Sequence, residues 1–108
     1  ILGGGLQGVD TALFEESCFD AEGQPLSSTF ADYTMPGSTH LPNIRLDHLV
    51  TPSPLTEFGV KGLGEGGAIP PPATIANAVN DALREYGAEV SETPITPRRV
   101  RACVVAKS

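Results

Sequence analysis

The sequence predicts an α+β fold, and three observations carry that expectation. Two stretches repeat apolar residues at helical spacing, one stretch alternates apolar and polar residues, and 12 glycines with 10 prolines in 108 residues spread these elements along long structured loops. The expected order is helix, strand, strand, loop, helix and a short last helix, giving two main helices with a few antiparallel strands.

The first helix is expected at about residues 6 to 17, where Leu6, Val9, Leu13 and Phe14 share one face and Glu15 and Glu16 lie near the end. Ahead of it stand Gly3, Gly4 and Gly5, read as a flexible breaker or as an anion-cradling turn at the helix start. Glu22-Gly23-Gln24-Pro25 is turn chemistry. Ser28 to Thr34 mixes Thr, Phe and Tyr with small polar residues and reads as a weak strand, broken by Pro36 and Gly37. Ile44, Leu46, His48 and Val50 then alternate with Arg45 and Asp47, which predicts a second strand, ended by Pro52 and Pro54.

An extended linker leads to Gly59–Gly67, GVKGLGEGG, in which five glycines surround one lysine and one carboxylate. Backbone this bare can take angles closed to other residues and admits a ligand close to its amides. Pro70, Pro71 and Pro72 stiffen the exit and fit the first turn of a helix. That helix carries Ile75, Val79, Leu83 and Tyr86 on one stripe with Ala76 and Ala82 beside it, and Gly87 is placed to end it. Thr96 followed by Pro97 starts the short last helix, with Val100, Cys103 and Val104 as its apolar face.

Composition narrows the class. The chain has the size of one domain or part of one, with 40% hydrophobic and 19% charged residues, as in ordinary globular proteins. A formal net charge of -6 disfavours nucleic-acid binding, and the cluster Arg98, Arg99 and Arg101 is expected to be solvated. No run reaches the length of a membrane span. Cys18 and Cys103 lack metal or disulfide spacing and are expected as reduced thiols in a cytosolic protein. The opening Ile1-Leu2-Gly3, with no initiator methionine, reads as a chain cut from something longer.

For Glu65 two readings stay open on the residues alone: a carboxylate in a solvent-exposed turn, or a general base whose value depends on burial raising its pKa. Lys61 is a counter-charge or a solvated side chain, and close to Glu65 it would lower that pKa and oppose a base role. Gln7 offers amide donors and acceptors to a ligand, though a surface glutamine is the default. His40 and His48 are too isolated for a metal site, and Ser17, Ser27 and Ser28 lack a nucleophile elbow.

In order along the chain, GGGLQG at Gly3 to Gly8, Glu15 with Glu16, GVKGLGEGG at Gly59 to Gly67 and PPATIANAVNDAL at Pro71 to Leu83 resemble the C-terminal part of the molybdenum hydroxylases, the xanthine dehydrogenase and aldehyde oxidase family. The wording is most similar to the large subunit of the aerobic carbon monoxide dehydrogenase type. The resemblance covers nearly the whole chain, and its most specific part is KGxGE leading into a proline-started, alanine-rich helix. It implies that residues 1–108 are a segment of a molybdopterin-binding domain, with Glu65 as the active-site base that takes a proton from a molybdenum-bound hydroxyl attacking an electron-poor carbon.

It further implies that Gln7 contacts the pterin cofactor and that Lys61 and Gly62 border it. The implied cofactor is molybdopterin cytosine dinucleotide, its metal held by the pterin dithiolene and not by side chains. FAD and 2Fe-2S clusters are implied on other subunits or domains. The implied partners are the remainder of the large subunit, the FAD and iron-sulfur subunits and a small-molecule substrate, with no nucleic acid and no membrane. The cysteine loop that holds copper in the carbon monoxide enzymes is not among these residues. By the same resemblance the chain alone should be inactive. The alternatives are a non-catalytic anion-binding or assembly module, and a structural fragment whose exposed apolar surface drives self-association.

Overall fold

The computed structural model describes residues 1–40 and 42–107. Among these it contains three α-helices, α1 (Leu2–Leu13), α2 (Pro70–Leu83) and α3 (Pro97–Val105), with short 3-10 turns at Ser38–His40, Glu57–Gly59 and Arg84–Tyr86. The antiparallel strands predicted from the sequence do not form: the described residues hold one isolated bridge, Phe19 with Pro25, and the architecture is mostly helical.

Helix α1 begins and ends about four residues earlier than expected, and takes in the whole glycine triplet. Four glycines in a helix cost about 1 kcal/mol each relative to alanine, so this helix depends on packing and not on propensity. The packing is against the glycine-rich loop and the start of α2. A Cβ on Gly4 would lie 3.0 Å from Gly67 Cα, and one on Gly8 would lie 2.7 Å from Pro71 Cγ and 2.8 Å from the Ala68 carbonyl oxygen. Ala12, two turns beyond Gly4 on the same face, is fully buried, and its carbonyl accepts the Ile95 N–H at 2.6 Å. At the far end the Asp10 carbonyl accepts from both Phe14 and Glu15, and the chain leaves the helix there.

The expected weak strand at Ser28 to Thr34 is instead a turn. The Thr29 carbonyl accepts from Asp32 at 3.1 Å and Tyr33 at 2.9 Å, while the Thr29 hydroxyl donates to Asp32 Oδ2 at 2.6 Å. The backbone groups of this segment bond within the turn, and the Thr29–Asp32 side-chain pair closes it, so they are not offered to a distant strand. The alternating segment from Ile44 to Val50 has no regular structure, because no neighbouring segment among the described residues offers it a second strand. Ile44 is half-buried near Gly5, whereas Leu46, Leu49 and Val50 are exposed. The expected turn at Glu22–Pro25 does form: Asp20 Oδ1 accepts from the Glu22 and Gln24 N–H groups, and Gly23 takes φ 82°.

Helix α2 starts on its prolines as anticipated. After a 3-10 turn it ends at Gly87, which is left-handed at φ 59° and donates to the Arg84 carbonyl at 3.1 Å. Tyr86, expected on the apolar stripe, is exposed, because the 3-10 turn rotates it off the core-facing side; Ala82, expected beside the stripe, lies within α2 and faces away from the core. The core gathers Leu83, Ala88, Val90 and Ile95, with Leu13, Ile75, Ala76, Val79, Val100, Cys103 and Val104 packed around them. Helix α3 is capped as predicted, the Thr96 hydroxyl accepting the Arg99 N–H at 3.3 Å. Cys18 and Cys103 are both free thiols.

Candidate functional site

The glycine-rich loop is fastened at both ends and bare between. At its entry the Gly59 carbonyl accepts the Ser53 N–H at 3.0 Å. Gly59 has φ 69°, and a Cβ there would meet Pro52 Cβ at 2.7 Å, so only glycine lets the two backbones close. At its exit the Glu65 carbonyl accepts from Ala68 at 2.9 Å and from Ile69 at 3.2 Å, folding the Glu65 turn onto the start of α2. Between these points the N–H groups of residues 61–65 find no acceptor within the described residues, and a Cβ on Gly62 or Gly64 would meet nothing within 4 Å. Consecutive free amides on backbone without side-chain cover suit an anionic ligand.

Glu65 itself is exposed on this turn. Lys61 donates through Nζ to Thr51 Oγ1 at 2.7 Å, and among the described residues the ion pairs are Arg84 with Asp81 and Arg99 with Glu16. Lys61 is therefore held away from Glu65, and the counter-charge that would oppose a base role is absent from that contact. Lys61 and Gly62 line an open hollow of about 520 Å³ with Leu49, Thr51 and Leu63. Gln7 is exposed on α1, beside Gly8. The contacts of Gly4 with Gly67 and of Gly8 with Ala68 place the helical turn that bears Gln7 against the chain two to three residues after Glu65. The structure thus joins the Gln7 and Glu65 segments at one junction and sets Lys61 and Gly62 further back along the loop.

Two polar features escaped the sequence reading. Arg99, expected to be solvated with Arg98 and Arg101, is about one quarter exposed. It donates to Glu16 Oε1 at 2.7 Å and to the Pro94 carbonyl at 2.8 Å, tying the chain after α1 to the cap of α3. Arg98 and Arg101 remain exposed. The second feature is Asp10, the one ionisable residue of α1. Burial raises its carboxyl to about 6, and the neighbouring Glu15 charge adds to the shift. Asp10 Oδ1 is closed off from solvent with no hydrogen-bond partner among the described residues. The Tyr33 phenol is also raised, by desolvation first and then by Glu15. The available signal was a lone acid within an otherwise uncharged helix. No group of His, Cys, Asp or Glu among the described residues is arranged to hold a metal ion.

Residues 1–42 match the family described as "Molybdopterin cofactor-binding domain". Over 93% of its length the chain is 43% identical to the nicotine 6-hydroxylase large subunit of Paenarthrobacter nicotinovorans, covering 12% of that protein. It is 38% identical, over 93% of its length and 12% of the relative's, to the carbon monoxide dehydrogenase large chain of Hydrogenophaga pseudoflava. The crystal structure of quinoline 2-oxidoreductase from Pseudomonas putida 86 superposes with a TM-score of 0.93 at 41% identity, covering 97% of this chain and 13% of that one. The chain therefore spans only about an eighth of the length of the relatives it matches. The match reaches from α1 through the glycine-rich loop to α3, and the chain belongs to the molybdenum hydroxylase family as a segment of its molybdopterin cofactor-binding domain.

Proposed function

We propose that this segment, within its complete large subunit, supplies Glu65 as the general base for oxidative hydroxylation at an electron-poor carbon. The cofactor, taken as the cytosine dinucleotide form, brings the two-electron redox chemistry when bound. The observation that carries the reading is the run of amides at residues 61–65, unpaired among the described residues and ending at Glu65, fastened to the helix that bears Gln7. These groups fit a phosphate-bearing pterin: they are neutral donors on backbone open to close approach, and a dithiolene-held metal asks for no side-chain ligand. Gln7 would hold the pterin by its amide, while Lys61 and Gly62 border it. Glu65 would take up the proton released as the new carbon–oxygen bond forms.

The relatives at 43% and 41% identity are named for nicotine and quinoline, which supports a nitrogen heteroaromatic ring as the substrate class. In this reading FAD and 2Fe-2S groups on partner subunits carry electrons away in a cytoplasmic complex. The relatives called large subunit and large chain support an assembly with further subunits.

The test is Glu65→Gln in the full-length large subunit assembled with its partners. Removing a general base should lower kcat by about 10²–10⁴-fold while molybdenum content stays at the parent level. Unchanged turnover at normal molybdenum loading would eliminate Glu65 as the base.

A further inference from the structure

We infer that Gly8, with Gly4 and Gly67, is a positioning residue for the Glu65 carboxylate, an inference that rests on the proposed role of Glu65. The helix needs no glycine at these places for its own sake, since glycine weakens it. The contacts explain the choice. Gly67 packs so closely on α1 that a Cβ there would lie 2.6 Å from the Ile1 carbonyl oxygen and 3.1 Å from Gly4 Cα. A Cβ on Gly8 would lie 2.8 Å from the Ala68 carbonyl oxygen and 2.7 Å from Pro71 Cγ.

The Gly8 contacts fall on Ala68, one of the two residues that fix the turn under Glu65, and on Pro71 just beyond it. Ala68 donates its N–H to the Glu65 carbonyl at 2.9 Å, so a displacement of Ala68 is passed directly to the residue that bears the carboxylate. Pro71 belongs to the first turn of α2, which is rigid and cannot give way by rotating a side chain. The face of α1 is thus a flat stop against which the loop is seated. Because Gln7 precedes Gly8, the same stop sets the spacing between the Gln7 and Glu65 segments.

Gly3 supplies the internal control. It lies on the same helix, and a Cβ there would meet nothing within 4 Å of this chain. Gly3→Ala should strengthen the helix and leave the loop in place, whereas Gly8→Ala must push Ala68 and Pro71 outward.

The experiment compares Gly8→Ala, Gly3→Ala and Glu65→Gln in the full-length large subunit within its complex. Three readouts are taken: amide exchange of Ala68 and Ile69 in the molybdenum-free complex, steady-state kinetics, and the pH profile of kcat. Gly8→Ala should lose protection at Ala68 and Ile69, and lower kcat by about 10²-fold with KM little changed, as expected for a reacting group misplaced by about 1 Å. Its kcat pH profile should shift, while Gly3→Ala matches the parent in every readout.

Parental exchange and parental kcat in Gly8→Ala would overturn the inference, as would an equal loss in Gly3→Ala. If Gly8→Ala fails to assemble, Gly8→Ala combined with Pro71→Gly removes the ring collision and keeps the Ala68 carbonyl contact. That double variant should assemble with low kcat, and parental turnover in it would also overturn the inference. A Glu65→Gln enzyme without activity beside a fully active Gly8→Ala enzyme would refute this positioning role alone, leaving the assignment of Glu65 intact.

Discussion

Asp10 shows how much a single side chain can depend on where a loop travels. The sequence marks it only as the lone acid of α1, whereas the turn after α1 brings Glu15 back beside it and burial lifts its carboxyl to about 6. The sign of the consequence is fixed by linkage. The folded state binds this proton more tightly than the unfolded chain, whose aspartate titrates near 4, so stability from this group is full below about pH 4 and is lost as pH rises towards about 6. Asp10→Asn should remove that slope and raise the melting temperature at pH 7, read from thermal unfolding of the assembled protein at pH 5 and pH 7. A lower melting temperature at pH 7 would mean that a donor from elsewhere in the subunit pairs with Oδ1. Gln7, Lys61, Gly62 and Glu65 were by contrast visible as residue types, because glycine-rich surroundings advertise exposed chemistry. Their relative placement was not visible, since it depends on a helix meeting a loop some sixty residues away in the chain.

Among the elements, the helices were legible and the strands misled. α2 and α3 announce themselves by local signals: prolines in the first turn, a threonine cap, an apolar stripe and a terminal glycine. The alternation from Ile44 to Val50 is equally local, but a strand exists only if another segment pairs with it, and no local pattern reports that. α1 was misplaced for a related reason, because its glycines lower propensity and are compensated only by tertiary contact. The stretch from Ala88 to Ile95 has no regular structure, yet it holds three of the most buried residues, Ala88, Val90 and Ile95. Asn80 makes this possible. It donates through Nδ2 to the Val90 carbonyl at 3.0 Å and accepts the Val90 N–H at 2.8 Å, serving an irregular segment as a neighbouring strand would. Asn80→Ala should cost about 2–3 kcal/mol, because it strands both backbone groups of a buried residue. Asn80→Asp should also destabilise, since it keeps the acceptor for the Val90 N–H but sets a carboxylate oxygen against the Val90 carbonyl. Denaturant midpoints of the assembled protein check both.

At the scale of the whole molecule, the chain is spread out for its length. Its radius of gyration is 17.8 Å, against about 13 Å for a compact domain of this size. Among the described residues five hydrophobic side chains are buried, while Phe30, Leu49, Val50, Leu55 and Phe58 are each more than four-fifths exposed. So small a core is poorly matched to the conformational entropy of ordering the chain, and apolar surface on this scale is ordinarily covered. The isolated chain should therefore self-associate and show no hydroxylase activity. Size-exclusion chromatography with light scattering, together with a turnover assay, tests this, and a stable monomer with cooperative unfolding would contradict it.

Local chemistry written into the sequence determined the start and stop of α2, the start of α3, the turn at Glu22–Pro25, the bare loop from Gly59 to Gly67 and the ordered motifs that mark the family, because each depends only on residues a few positions apart. Tertiary structure alone decided that the glycine triplet is helical, that the alternating segment stays unpaired, and that the Glu65 turn rests on the Gly4 and Gly8 face. Those outcomes turn on which distant backbones touch, and a backbone without side chains carries no residue pattern that names its partner.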